Sequence, residues 1–404
     1  MRRCICVGLL LSLALVSPLA AFDAVGTIKK IDTENQVVDI FANGQDRQVK
    51  LAKDIKVLDK EGKPLADGLK SKDLKEGTEV TVTVDRVNNE PTISVIRLGK
   101  TGGGEAKQPT GGKASVGFKP LTEMSATDKY KGEDGGLYGA GKNDPPEGHL
   151  AAAKKETAKI EPLNAEGKPA KDGKIGLVSI SMSNATQEFS YFKQIADKDN
   201  AKSPLVAIVD CAQGGQAMAQ WVDPQANPWK EAARRLQAAN VSNRQVQVVW
   251  IKLANVAPTG GLEVHGKKLQ KDTLAVIQNA KAMFPNLRVA YLGSRIYGGW
   301  SDGRLNPEPY AYEGAFPVRW LIQDQIKGAD GLSIEKGQAP ILLWGPYLWA
   351  DGTTPRRADK LIWERKDLAG DGTHPSQTGR EKVADMLLKF FKTDPLASAW
   401  FVKK

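Results

Sequence analysis

Two patterns of apolar residues divide the chain. Between residues 22 and 99, short segments rich in Val, Ile and Thr alternate with turn sequences such as NGQD and NNEP. Short β-branched segments at this spacing are typical of strands that close into a small barrel. We therefore predict a small all-β, OB-like barrel over residues 22–99. No cluster of acidic, His or Cys residues in it indicates a catalytic site.

The second pattern starts near residue 172. Five continuous apolar segments are separated by segments with helical periodicity; they read KIGLVSIS, PLVAIVD, VQVVWIKL, LRVAYLGS and PILLWGPY. Continuous apolar strands that alternate with amphipathic helices are typical of a parallel sheet covered on both faces. Residues 172–404 are therefore predicted to form a three-layer α/β/α, flavodoxin-like domain with a five-stranded parallel sheet.

The remaining segments are predicted from composition. Residues 100–171 are rich in Gly, Lys and Pro, which indicates a linker and an irregular segment. Residues 1–21 combine two arginines, a short apolar run and small residues, which predicts a signal peptide cleaved near Ala20 or Ala21. The mature protein is expected to be secreted or periplasmic. No later apolar stretch has membrane-spanning length, so no stable membrane anchor is expected.

Charge and the rare residue types limit the partners. The formal net charge of +10 is spread along lysine-rich loops and forms no compact basic block, which argues against nucleic acid. After the signal peptide only Cys211 remains, so an intramolecular disulfide is excluded. The few His and Cys residues lack the spacing of a metal site, and we expect no metal and no cofactor. The partner of the barrel is not predicted.

Polar residues follow the predicted strands, at the edge of the sheet where ligands bind in such folds. Ser181 and Ser183 follow the first strand, Gly214 and Gly215 the second, and Asn255 the third. The sequence GDGTHPSQTG lies just before the final helix and brings a carboxylate and an imidazole to the same edge.

These residue types fit acyl transfer. A serine hydroxyl needs a base to become a nucleophile, and His374 can act as that base. Asp371, three residues before it, can orient the imidazole within one turn. A glycine N–H and an Asn amide can stabilise the oxyanion. The alternative is structural: Asp371 and Gly372 form a turn, and Ser183 caps a helix.

The sequence DGTHPS resembles the last block of the SGNH (GDSL-type) hydrolases, in which an Asp-x-x-His-Pro run carries the catalytic acid and base. Asp371, His374 and Pro375 match that block, and the resemblance covers about residues 172–392. The first block of the family, Gly-Asp-Ser, corresponds to Ser181, Met182 and Ser183, so its Gly and Asp are absent.

The resemblance implies Ser183 as nucleophile, with Ser181 as its rival. It also implies Gly215 rather than Gly214 as an oxyanion donor, and Asn255 as the remnant of the third block. Together these residues predict a secreted serine esterase without a cofactor.

Aromatic residues after the last two predicted strands suggest the class of substrate. Tyr297, Trp300 and Trp349 follow the fourth and fifth strands, where they are expected to stack on sugar rings. The expected partner is thus an ester, an acetylated carbohydrate. Two alternatives stay open: a binding or cell-surface protein that keeps this fold but has weakened catalysis, and a phosphatase on a flavodoxin-like scaffold. The phosphatase is disfavoured because no phosphate-binding Gly/Lys loop is present.

Overall fold

The computed structural model describes residues 22–42, 45–87, 90–99, 112–301, 303 and 305–403. The predicted signal peptide, residues 1–21, and the first part of the predicted linker, residues 100–111, lie outside the described residues. The chain forms two compact units, which divide between Gly102 and Gly103.

The first unit is a closed five-stranded barrel, as predicted. Its strands are β1 (Phe22–Asp32), β2 (Val37–Ala42), β3 (Gln45–Leu58), β4 (Glu79–Val87) and β5 (Glu90–Leu98). They follow the order β1-β2-β3-β5-β4, and β4 pairs with β1 to close the ring. Alternate residues such as Ile28, Val80 and Ile93 fill the interior, so closure satisfies the strand edges while one face of each strand forms the core.

A five-stranded parallel sheet lies at the centre of the second unit, which confirms the predicted α/β class. Its strands are β6 (Ile175–Ile180), β7 (Val206–Asp210), β8 (Val246–Lys252), β9 (Val289–Gly293) and β10 (Ile341–Trp344). The order is β10-β9-β8-β6-β7 and every pairing is parallel. The order of the strands reverses between β6 and β8, and in sheets of this kind ligands bind beyond the carboxyl ends of the two strands at that point.

Helices cover the sheet in two layers. They are α1 (Glu147–Thr157), α2 (Ser183–Ala196), α3 (Met218–Trp221), α4 (Asn227–Ala238), α5 (Leu262–Met283), α6 (Tyr310–Glu313), α7 (Ala315–Ile326), α8 (Gln377–Thr393) and α9 (Pro395–Phe401). Helices α1, α2, α8 and α9 contact one another in one layer, and α3 to α7 contact one another in the other. Burial on both faces explains why the strands are apolar throughout.

Residues 112–171 belong to the α/β unit and do not form a separate linker, while residues 112–146 are largely irregular. Leu121, Met124 and Ala153 are buried in its core, and α1 lies within this segment. Several of its glycines permit close approach of the backbone to neighbouring segments. A Cβ at Gly135 would lie 1.9 Å from the carbonyl oxygen of Met124, so only glycine permits this approach.

Candidate active site

Three of the predicted residues form a continuous hydrogen-bonded chain at the carboxyl edge of the sheet. The Oγ of Ser183 lies 2.7 Å from Nε2 of His374. The Nδ1 of His374 lies 2.5 Å from Oδ2 of Asp371. The imidazole therefore has a hydroxyl on one nitrogen and a carboxylate on the other, which is the arrangement of a nucleophile, a base and an orienting acid.

Asp371 is held as a carboxylate in a tight turn. Its Oδ1 accepts hydrogen bonds from the backbone N–H groups of Thr373 at 2.9 Å and His374 at 3.0 Å. Burial alone would raise the pKa of Asp371, but the His374 side chain and these N–H groups prevail and lower it to about 2. Asp371 therefore stays ionised near neutral pH. Ser376 caps the following helix, α8, by accepting from the N–H of Gly379.

Ser183 is the first residue of α2, directly after the turn that leaves β6. The first N–H groups of an α-helix have no partner within the helix, and the helix dipole favours negative charge there. The backbone N–H of Ser183 is therefore suited to stabilise an oxyanion on the carbon that its own hydroxyl attacks.

Ser181, the alternative nucleophile, makes hydrogen bonds that join the loops at the sheet edge and does not contact His374 through its hydroxyl. Its side chain is fully buried and its hydroxyl donates to the carbonyl oxygen of Lys252 at the end of β8. Its own carbonyl accepts from the N–H of Gln213 at 2.9 Å. Its φ of 150° lies in a region that favours glycine, which is the residue of the SGNH first block at this position. The structure brings Ser183, not Ser181, to His374.

The loops after β6, β7 and β8 meet in one small apolar cluster of Met182, Ala217 and Ala254. The N–H of Met218 donates to the carbonyl oxygen of Ala254 at 2.9 Å, which ties the β7 loop to the β8 loop. Gly215 is exposed in the β7 loop with a φ of 74°, a conformation that favours glycine. The predicted oxyanion residues thus lie on loops that pack beside Ser183.

Asn255 is oriented at both ends of its amide. Its Oδ1 accepts from the N–H of Ala219 at 2.9 Å, and its Nδ2 donates to Oδ2 of Asp272 at 2.7 Å. An amide nitrogen carries two hydrogens, so one remains for a substrate after the bond to Asp272.

Two of the three predicted stacking residues are core residues, which corrects their assignment. Tyr297 and Trp349 are 1% and 0% exposed, so neither offers a ring face to a sugar. The Tyr297 hydroxyl donates to the carbonyl oxygen of Lys113, and Trp349 Nε1 donates to Glu308. Trp300 is half-buried, and its backbone lies against the turn of residues 370–374: a Cβ at Gly372 would be 1.8 Å from the Trp300 carbonyl oxygen.

Buried charges beneath the site were missed from the sequence. Glu188 on α2 and Lys252 at the end of β8 form an ion pair in which both side chains are 0% exposed. Burial raises the pKa of Glu188 and lowers that of Lys252, while their mutual attraction opposes both changes. Arg295, 3% exposed, lies after β9. A lysine at the end of a buried strand was the available signal, because such a residue needs a counter-charge.

Among the described residues, no group of His, Cys, Asp and Glu has an arrangement that could hold a metal ion. In the part of the chain that the structure describes, no helix has both the length and the apolar character needed to cross a membrane.

No family profile and no curated protein matches the chain. Among solved structures, the chain is similar to a candidate acylhydrolase of Bacteroides fragilis. The two share 14% sequence identity, the match covers 63% of this chain and 100% of the other, and the TM-score is 0.33. A second is the periplasmic domain of a lipopolysaccharide acetyltransferase of Salmonella ser. Paratyphi A: 15% identity, 55% of this chain, 83% of the other, TM-score 0.31. Apo-CusF from Escherichia coli matches 22% of this chain with 100% of its own, at 14% identity and a TM-score of 0.17.

Proposed function

We propose that the α/β unit is a carboxylic ester hydrolase of the SGNH type, with Ser183, His374 and Asp371 as its triad. The observation that carries this proposal is the unbroken chain of hydrogen bonds from the Ser183 hydroxyl through the His374 ring to the Asp371 carboxylate. Its place at the carboxyl edge of a parallel sheet, where ligands bind in such folds, supports the same conclusion.

Each group has a defined step. Ser183 Oγ attacks the ester carbonyl carbon while Nε2 of His374 takes the hydroxyl proton, and Asp371 stabilises the resulting imidazolium. The tetrahedral intermediate collapses to an acyl-serine as His374 returns the proton to the departing alcohol. A water molecule, deprotonated by His374, then attacks the acyl-serine and releases the acid and free Ser183.

The oxyanion would be held by the N–H groups of Ser183 and Gly215 and the free amide hydrogen of Asn255. The helix start at Ser183, the left-handed Gly215 and the fixed amide of Asn255 support these roles. Preorganised donors of this kind lower the barrier because they need not reorient as charge develops.

We propose that the substrate is an acetylated carbohydrate. We also propose that the protein acts on it outside the cytoplasm, after removal of the signal peptide. Trp300 supports this choice because it is half-buried and borders the turn that carries His374, where a ring face could contact a sugar. The alternative is an SGNH-like binding protein with weakened catalysis. It is favoured by Met182 and Ser181, which replace the Asp and Gly of the family's first block.

Hydrolysis of p-nitrophenyl acetate and of acetylated oligosaccharides by the purified full chain tests the proposal. Ser183→Ala and His374→Ala should each reduce the enzymatic rate to a small residual rate, and a fluorophosphonate should label Ser183 in the wild type. Ser242→Ala is the matched control, because its hydroxyl donates to the carbonyl oxygen of Ala165 at 2.7 Å, away from the triad. A folded wild type that neither hydrolyses these esters nor takes the label would favour the binding protein.

A further inference from the structure

The carbonyl oxygen of Thr373 lies where the turn of residues 370–374, called the catalytic turn below, meets helix α2, which begins at Ser183. Asn184, the residue after Ser183, donates from Nδ2 to this oxygen at 2.9 Å, and its side chain is buried. Arg295 approaches the same oxygen with Nη2 at 3.5 Å. Thr373 immediately precedes His374, so a group bound to its carbonyl sets the position of the catalytic base.

We propose that Asn184 is a positioning residue that holds His374 at hydrogen-bonding distance from Ser183. The proposal rests on the esterase function proposed above. The side-chain hydrogen bond of Asn184 goes to the carbonyl oxygen of Thr373 and not to the imidazole or the carboxylate, so it acts through the backbone of Thr373.

The hydrogen bonds of the turn itself explain why such a contact is needed. Asp371 binds the His374 ring and the N–H groups of Thr373 and His374, and the N–H of Ala369 donates to the carbonyl oxygen of His374 at 2.7 Å. These bonds fix the shape of the turn but do not join it to α2. The Ser183–His374 contact does join them, but it forms between groups that must exchange a proton and then bind substrate.

Other contacts join the turn to segments farther from Ser183 in the chain. The hydroxyls of Ser301 and Thr373 lie 2.6 Å apart, which ties the turn to the segment after β9. Helices α2 and α8 pack together and hold the backbone in register. The Asn184 amide is the contact that joins residues directly next to the nucleophile and the base, so its removal should shift that pair without unfolding the unit.

Arg295 gives the same carbonyl a second, weaker donor. Its guanidinium is buried, and Glu188 and Asp371 attract its charge. At 3.5 Å, Nη2 is at the limit of a hydrogen bond, whereas Asn184 is at an ordinary distance. We therefore expect Asn184 to carry most of the positioning.

Asn184→Ala and the larger, apolar Asn184→Leu both remove the donor, and Leu keeps the packing if Ala fails to fold. With p-nitrophenyl acetate, we expect kcat to fall by roughly 10- to 100-fold and KM to change by less than about 2-fold, because misplacement of a catalytic group affects the chemical step. Asn286→Ala is the control. Its Nδ2 donates to the carbonyl oxygen of Arg244 at 2.8 Å, a matched contact before the amino ends of β8 and β9.

A second measurement separates positioning from a general structural effect. In a His374→Ala background, Asn184→Ala should leave the residual rate unchanged within about 2-fold, because the base that it positions is gone. A folded Asn184 variant with wild-type kcat, or an equal loss in both backgrounds, would overturn the positioning role. An inactive wild type without serine labelling would instead overturn the esterase function, and the positioning role with it.

Discussion

The buried pair of Glu188 and Lys252 gives a stability prediction that can be worked from the structure. Both side chains are 0% exposed, and Nζ of Lys252 lies 2.5 Å from each carboxylate oxygen. Glu188→Leu leaves an unpaired ammonium and Lys252→Met leaves an unpaired carboxylate. Either group is expensive to keep charged in this environment.

Protonation limits each cost. An unpaired Glu188 can take up a proton, and at pH 7 this costs about 4 kcal/mol relative to its ordinary pKa of about 4.3. An unpaired Lys252 can lose its proton, which at pH 7 costs about 5 kcal/mol relative to an ordinary pKa of about 10.4. We expect single changes to destabilise by about 3–5 kcal/mol, and the double change Glu188→Leu/Lys252→Met to be close to neutral.

The two single variants should respond to pH in opposite directions. Lys252→Met should recover stability as the pH falls to about 4 and below, because the unfolded chain then also protonates Glu188, whose ordinary pKa is about 4.3. Glu188→Leu should recover stability only as the pH rises to about 10.4 and above, because the unfolded chain then also loses the Lys252 proton.

Urea unfolding followed by tryptophan fluorescence measures this in the intact chain. All nine tryptophans lie between residues 221 and 400, so the signal reports on the α/β unit alone. A coupling free energy below about 0.5 kcal/mol between the two changes would refute the reasoning, as would pH responses of the same sign.

Three further predictions test other features. Asp371→Asn should lower kcat by roughly 10²- to 10⁴-fold in an ester-hydrolysis assay, because a neutral amide stabilises the His374 imidazolium poorly; a loss below about 3-fold would contradict the triad. Burial raises the pKa of Glu308 to about 7, so the folded chain keeps a proton that the unfolded chain loses above about pH 4.3. The free energy of unfolding of the wild type should therefore fall by up to about 3 kcal/mol from pH 4 to 7. In Glu308→Gln, measured by urea unfolding, this fall should be absent; a variant with the same pH dependence as the wild type would contradict the prediction. Gly135→Ala should destabilise the α/β unit by about 1–3 kcal/mol in the same assay because its Cβ meets the Met124 carbonyl, whereas Gly148→Ala, with open space around its Cβ, should not; equal effects would contradict the close packing.

The strands of the sheet could be predicted from the sequence because burial on both faces requires continuous apolar segments. The segment KIGLVSIS, for example, contains β6 at Ile175–Ile180. Once the strands were placed, the rule that ligands bind at their carboxyl ends placed Ser183 and His374 at one edge. The resemblance favoured Ser183 over Ser181, although both follow the same strand, and in the structure it is Ser183 that lies next to His374.

Other features depend on neighbours that the sequence does not reveal. Glycine-rich composition fits both a flexible linker and close backbone packing, and only the position of Met124 beside Gly135 decides between them. Tyr297 and Trp349 follow strands at the rim but are covered by distant segments, which include Lys113 and Glu308. The pairing of Glu188 with Lys252 requires knowing that α2 packs on β8.

The short spacing of Asp371 and His374 has a consequence for how activity can be lost. Their hydrogen bond lies within one turn and would survive a rigid displacement of that turn, whereas the bond from His374 to Ser183 joins residues 191 positions apart in the chain. Within the proposed triad, the Ser183–His374 hydrogen bond is therefore the one that depends on the relative position of two distant segments. A displacement of about 1 Å at that bond would remove the proposed esterase activity while leaving the Asp371–His374 pair, the sheet and the tryptophan signal intact, so loss of activity and unfolding can be separate events.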